Sequence, residues 1–395
     1  MSQTPVSSHI EVLAYYFPQF HRDPRTDAMH GAGWTEWEVL RAARPRFANH
    51  RQPITPAWGE FDESDSAWAA REIALAADHG LTGFIYDWYW YEGRPFLEGA
   101  LEHGFLQAPN RNLLKFALMW ANHDWLHLFP NRAGETPELL MAGATPRDSF
   151  DAMCDYVIEQ YFKQANYLLV DGAPYYSIYE LGTFIKGLGG LEAATSALAA
   201  FRAKVIAAGF PDLHLNAVVW GVSVLPSELK LEQPEAVVQR LGFSSTTSYV
   251  WIHHFPLNDS PAFTREYQAA AECNYALWYE YNASFSVPYH PNVTVGWDSS
   301  PRTQQDVPYN VGTYPWIARL EGNTPEAFGQ ALERARGFLE RQEIHQKILT
   351  INAWNEWTEG SYLLPDTVMG NAYLEAVKGV FGSRKQDPVL SASSA

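Results

Sequence analysis

Eight short apolar runs, each followed by a helical pattern of about 15 residues, constrain the fold of this chain more than any other feature. The runs cover 12–17, 83–88, 114–121, 175–179, 213–220, 242–249, 292–297 and 347–354, and are rich in Val, Ile, Phe and Tyr. Helical patterns are expected near 64–79, 93–103, 146–164, 191–208, 234–241, 262–282, 325–342 and 370–381. Ser64-Asp65 before an Ala-rich stretch and Thr324-Pro325 before Glu326 are helix-start signals. Alternating β and α units imply a parallel sheet with helices packed outside it. Eight units that close on themselves make an α/β fold of the (β/α)8 type, a TIM barrel; six or seven in an open doubly wound sheet are the alternative. Residues 21–61, between the first strand and its helix, are too many for an ordinary βα loop, so the barrel is expected to have a long first loop facing substrate. We read 1–383 as a single catalytic domain and 384–395 as a disordered tail.

Charge and cysteine content narrow the partners. The net charge is −17 with no cluster of Lys or Arg, which disfavours nucleic acid and fits a neutral or cationic ligand. Cys154 and Cys273 are far apart and lack ligand spacing, so neither a disulfide framework nor a thiolate metal site is expected. No metal and no cofactor are implied. Residues 1–9 lack an export signal, and no apolar run reaches the roughly 20 residues that cross a bilayer. The expected location is cytoplasmic, or periplasmic where a leader has been trimmed. No sequence feature speaks to oligomeric state.

In a (β/α)8 enzyme the chemistry sits at the C-terminal ends of the strands. Here those ends carry Tyr16, Asp87-Trp88, Trp120-Ala121-Asn122, Tyr179-Glu180, Trp220, Tyr249, Trp297-Asp298 and Trp354-Asn355-Glu356. Aromatic residues make up 14% of the chain, with 15 Trp, 21 Tyr and 21 Phe, and their concentration at strand ends is what matters. Rings stack on the apolar faces of sugars, while carboxylates and amides bind the hydroxyl rims. The alternative is that these rings only plug the barrel mouth.

The sharpest motif is 352–360, Asn-Ala-Trp-Asn-Glu-Trp-Thr-Glu-Gly, where Glu356 and Glu359 stand three residues apart just after a strand. In a helical turn, i and i+3 share a face. Glycoside hydrolysis ordinarily uses two carboxyl groups, and aromatic surroundings with mutual repulsion would divide them into a proton donor and a base. The competing reading has one Glu capping the turn and the other in solvent. Asp87 and Glu180 are candidate ligand contacts or internal ion-pair members. Glu36 and Trp37 lie in the long first loop, and Glu36 could bind backbone as readily as sugar. His21 and His123 follow adjacent strand ends, which favours ligand contact over a purely structural role. His253-His254 reads as a loop pair. Zinc-protease, phosphate-loop and serine-elbow motifs are all missing.

The runs Ala14–His21 and Gly33–Trp37, together with the 354–360 motif, resemble the WbsX-type family, labelled glycosyltransferase and similar to glycoside hydrolase family 99. Gly83–Gly93, Trp120–Asn122 and Gly296–Arg302 extend the resemblance over nearly the whole chain. Family 99 comprises (β/α)8 retaining endo-α-mannosidases and mannanases with a paired-glutamate motif like this one. The resemblance implies that Glu356 deprotonates the substrate's own 2-hydroxyl, giving an epoxide-like intermediate, while Glu359 protonates the leaving oxygen and then activates water. Departures occur at Leu364, where the family commonly has Glu, and at His123-Asp124, where it has Glu-Asn. Leu126 and His127 stand where basic residues are expected, so mannose is not carried over as substrate. The expected function is a glycoside hydrolase acting on an α-linked oligo- or polysaccharide through Glu356 and Glu359. Substrate contacts are expected from Tyr16, His21, Glu36, Trp37, Asp87, Trp88, Trp120, Asn122, His123, Tyr179, Glu180, Trp220, Tyr249, Trp297, Asp298 and Asn355. Alternatives are a glycosyltransferase of surface-polysaccharide synthesis and a catalytically silent carbohydrate-binding barrel.

Overall fold

The computed structural model describes residues 9–382, so the tail expected at 384–395 lies outside the described residues. All eight expected strands are present and form one parallel barrel: β1 (Ile10–Tyr16), β2 (Gly83–Tyr91), β3 (Lys115–Trp120), β4 (Ala173–Ile178), β5 (His214–Val218), β6 (Ser245–Thr247), β7 (Tyr289–His290 and Asn292–Thr294) and β8 (Lys347–Asn352). Each pairs with its sequence neighbours, and β8 pairs with β1 from Ile10↔Lys347 to Ala14↔Ile351. The circuit closes through β7, which is split at Pro291. Its first segment pairs with β6 and its second with β8. Proline has no N–H to donate to a ladder, and this is where the strand changes partners.

Period-two alternation decides which side chains enter the barrel. Tyr15, Asp87, Tyr89 and Met119 face inward. Tyr16, Trp88 and Trp120, one residue away, face outward into the helices: Trp88 Nε1 donates to Tyr161 OH at 3.1 Å, and Trp120 packs against Phe150 and Phe184. Helices Ser66–Asp78, Arg147–Val157, Leu191–Ala207, Pro234–Leu241, Tyr267–Ser284, Pro325–Glu340 and Ala372–Phe381 match the expected patterns. Leu181–Leu188 adds a helix not foreseen, closed by left-handed Gly189.

The helix expected at 93–103 does not form over most of that span. β2 runs on and folds back on Arg94–Phe96 through Glu92 and Gly93, both at positive φ. Pro95 sits in the returning strand, and only a short π-turn, Ala100–Gly104, follows. The long first loop carries two short helices, Pro24–His30 and Trp37–Ala42. Among the described residues no helix is long and apolar enough to cross a membrane.

One buried acid separates the barrel from its first helix. Glu72 is 1% exposed; it accepts from Tyr16 OH at 3.0 Å and from Trp354 Nε1 at 3.2 Å. Burial, reinforced by the charge of Glu63, pushes its carboxyl from 4.5 to about 8. The folded state therefore keeps a proton that the unfolded chain releases near 4.5. The stabilisation this gives is complete below that pH and is lost as pH rises through about 8. Between about pH 6 and pH 9 the thermal midpoint of the wild type should fall more than that of Glu72→Gln. Equal falls would contradict a buried neutral Glu72.

Candidate active site

Past β8 the chain makes a tight reversal. Asn355–Glu356 pairs antiparallel with Ser361–Tyr362, and the 3-10 turn Trp357–Glu359 lies between them. Asn355 locks this turn to β1: its Oδ1 accepts from Phe17 N at 2.8 Å, and its Nδ2 donates to Phe17 O at 2.8 Å and to Glu63 Oε1 at 2.7 Å. Gly360 is left-handed at φ 65°, and a Cβ there would lie 2.8 Å from Asp298 Cβ. A Cβ on Gly296 would lie 2.7 Å from Gly360 O. Glycine at both positions lets the end of β7 press against the Glu359 turn, which neither a left-handed nor a crowded L-residue would allow.

Arg302, at the end of the 3-10 turn Ser300–Arg302 after β7, is 5% exposed and gathers the carboxyl groups. Its Nε donates to Glu36 Oε1 and to Thr358 Oγ1, both at 3.0 Å. Nη2 lies 3.3 Å from Glu356 Oε2, and Nη1 donates to Glu359 Oε1 and, at 2.6 Å, to Tyr314 OH. Tyr314 OH in turn donates to Glu359 Oε1 at 2.6 Å. The guanidinium lies 5.3 Å from the ring centroids of both Phe17 and Phe129. Despite burial, its carboxylate neighbours hold Arg302 well above the ordinary arginine value. Burial first, then the charge of Glu359, pushes Glu356 well above the ordinary carboxylate range, with Arg302 opposing. Burial likewise raises Glu36 against the pull of Arg302. Two carboxyls held on one cation are placed to hold and pass a proton.

Arg302, Tyr314, Glu356 and Glu359 line a cavity of about 690 Å³, counting its open mouth, at the C-terminal end of the barrel. Of the residues expected from sequence, Asp87, His123, Tyr179, Tyr249, Trp297, Glu356 and Glu359 line it together. Burial lowers the proton affinity of His123, leaving a neutral ring in the wall. Several others stand directly behind this layer. Glu36 and Asn355 hold Arg302 and the glutamate turn. Asp298 accepts from His50 at 2.7 Å and Gln52 at 2.9 Å. Asn122 exchanges hydrogen bonds with the backbone of Glu180, whose Oε1 accepts from Leu229 N at 2.7 Å. Trp220 stacks on Tyr179 with centroids 5.2 Å apart. Tyr16, Trp88 and Trp120 are on the outer face. His21 contacts Glu63 at 3.4 Å, and Trp37 donates to Phe61 O within the first loop; neither lines the cavity.

The cavity also uses residues that sequence reading passed over. Arg302 was visible only as the last letter of the 296–302 motif. Tyr89 follows inward-facing Asp87 by two, so strict alternation would have found it. Leu126, Leu128 and Phe129 after β3, with Val224 and Leu225 after β5, form apolar walls. His253 Nε2 lies 3.2 Å from Tyr179 OH, which donates to Glu228 Oε1 at 2.7 Å. Burial opposes the charge of Glu228, but His253, Tyr179 and Val224 N outweigh it and hold Glu228 below the ordinary range.

The sequence profile of the Glycosyltransferase WbsX family matches residues 12–377, and the chain belongs to that family. The uncharacterized protein WxcX of Xanthomonas campestris pv. campestris, strain ATCC 33913, is 28% identical over 377 residues, covering 93% of this chain and 49% of WxcX. WxcX of strain B100 gives the same figures, so the chain spans about half the length of these curated relatives. Among solved structures, a glycoside hydrolase-like protein is similar at TM-score 0.58 and 13% identity, over 96% of this chain and 97% of the other. The GH99 endo-α-mannosidase from Bacteroides thetaiotaomicron, in complex with bis-tris propane, is similar at TM-score 0.54 and 12% identity, over 94% and 96%. At such identities the likeness is one of fold.

Removing the one cation from this cluster should be severe. Breaking a buried ion pair costs about 3–5 kcal/mol, and without Arg302 the three carboxyls must take up protons to stay buried. Arg302→Met is therefore expected to lose about 3–5 kcal/mol in urea unfolding near pH 8, and less at mildly acidic pH, where protons are available. A loss independent of pH would mean that Arg302 acts by packing alone.

Proposed function

Taking WbsX-family membership as the premise, we propose that the chain is a glycoside hydrolase cleaving an α-linked oligo- or polysaccharide with retention, through Glu356 and Glu359. The observation that carries this reading is the shared guanidinium, with Glu356 and Glu359 both on Arg302 and both lining one cavity. Carboxyls held on one turn are poorly placed to flank an anomeric carbon from opposite faces. They are better suited to act on two oxygens of the same sugar.

Turnover starts from the state in which Glu359 carries a proton and Glu356 is ionised, against the burial that favours a proton on Glu356; in the first step Glu356 takes the proton of the 2-hydroxyl and O2 attacks C1. The glycosidic C–O bond breaks, and the leaving oxygen takes its proton from Glu359. In the second step Glu359 removes a proton from water, which opens the three-membered ring at C1, and Glu356 returns a proton to O2. Each glutamate ends in the state in which it began. Charge that develops on the ring is met by Glu359 and Glu356 in a site sheltered by Phe17, Phe129 and Trp297, where electrostatic interactions are strengthened. Aromatic lining by Trp125, Tyr179 and Trp297 suits the apolar faces of sugar rings.

The family's name, glycosyltransferase, favours a second reading, transfer to a sugar hydroxyl from an activated donor. Binding a nucleotide diphosphate would call on cationic groups. Arg302 is the one Lys or Arg among the described lining residues, and it is committed to Glu36, Glu356 and Glu359. That weighs for water over a sugar nucleotide.

The test is turnover of a panel of α-linked glycans without metal or sugar nucleotide. Glu356→Gln and Glu359→Gln should each lose at least about 100-fold in rate while keeping the fold and glycan binding. Wild-type rates in both variants would refute the assignment.

A further inference from the structure

Tyr249, just after β6, places its hydroxyl between two carboxyl groups: 2.8 Å from Asp87 Oδ2 and 3.3 Å from Glu356 Oε1. A phenol hydroxyl has one hydrogen to donate. It can serve one of these oxygens; the other contact is attractive only when that carboxyl is protonated and donates back to the phenol oxygen. Both contacts are satisfied when the three groups hold one proton beyond the phenol's own. Asp87 is 3% exposed, and its Oδ1, on a residue lining the cavity, has no hydrogen-bond partner among the described residues.

We propose that Asp87 and Tyr249 form a proton relay that sets the protonation state of Glu356. The inference rests on the reading of Glu356 as the base for the 2-hydroxyl and supplies what that reading needs, a way to ionise a buried acid without charging the site. Glu356 gives its proton to the phenol oxygen as the phenol hydrogen passes to Asp87 Oδ2. Two O–H bonds break and two form, the net charge of the trio is unchanged, and Glu356 is left as a carboxylate. Asp87 acts through Tyr249 and is thus a positioning residue.

The surroundings favour retention of that proton. Tyr15 from β1 packs on Tyr249 with centroids 4.7 Å apart, and Tyr179 after β4 packs at 5.5 Å. Tyr89 from β2 and His253 after β6 also face the trio, and Glu359, Glu36 and Arg302 face Glu356. Arg302 is the one Lys or Arg among these groups. Burial pushes Asp87 well above its ordinary range, with the Tyr249 hydrogen bond opposing and the charge of Glu359 adding to the rise.

The experiment is a pH titration of the ligand-free full chain by NMR of 13C-labelled Asp and Glu carboxyl groups. In the wild type the Glu356 resonance should move in two steps more than about one pH unit apart, and the Asp87 resonance should follow both. Asp87→Asn should remove the step that Glu356 shares with Asp87 and lower the upper Glu356 step, leaving only its coupling to Glu359. Tyr249→Phe, which keeps both acids, should narrow the separation. A single-step Glu356 curve in the wild type, or one that neither substitution alters, overturns the relay. Because no substrate enters the titration, its failure removes the relay alone, whereas an active Glu356→Gln removes the use the relay is put to.

Discussion

Arg302 is a buried guanidinium shared by Glu36, Glu356 and Glu359, and little else at the barrel mouth makes sense without it. Taking one cation and three carboxyls out of water costs several kcal/mol per ion unless geometry and hydrogen bonds offset the loss. Here they do so by number. Arg302 donates to every one of the carboxyls, Thr358 donates to Glu36, and Tyr314 donates to Glu359. The carboxyls still outnumber the cation, so the cluster is satisfied only if it keeps protons. That surplus is what acid and base chemistry can use.

The scaffold is arranged to hold this cluster from three directions. Glu36 comes from the long first loop, Arg302 from the turn after β7, and the glutamate pair from the turn after β8. The same loop supplies His50 and Gln52 to Asp298, whose backbone N–H donates to Glu359 O at 2.5 Å. Asn355 ties the glutamate turn to Phe17 at the end of β1. The first loop is therefore a structural clamp on the site as well as part of its rim. Gly296 and Gly360 are the two places where the end of β7 and the glutamate turn press together.

Much of this was legible in the sequence because a parallel barrel writes itself as repeated apolar runs. All eight strands appear where the runs are, and Glu356 and Glu359 share a cavity with Asp87, His123, Tyr179, Tyr249 and Trp297. Choosing residues by their position at strand ends, without following the parity of the strand, admitted Tyr16, Trp88 and Trp120, which face the helices. Following parity would have replaced Trp88 with Tyr89. Arg302 was harder to see, since its carboxyl partners lie 54 to 266 positions away in sequence and no local pattern marks a lone arginine as the centre of a cluster. The buried acids Glu63 and Glu72 were equally silent. Glu72 sits on an ordinary amphipathic helix, and only its contact with Tyr16 and Trp354 distinguishes it. The helix expected at 93–103 gave way because Glu92-Gly93 turns β2 back on itself, a tertiary choice that helical periodicity does not encode.

The central claim is that the glutamate pair on Arg302 delivers water to a sugar's anomeric carbon. The most direct measurement is mass spectrometry of glycan products formed in 18O-labelled water, with neither sugar nucleotide nor metal supplied. One 18O atom at each newly formed reducing end is the predicted result. Products that appear only when a sugar nucleotide is added, and that carry no label, would contradict it.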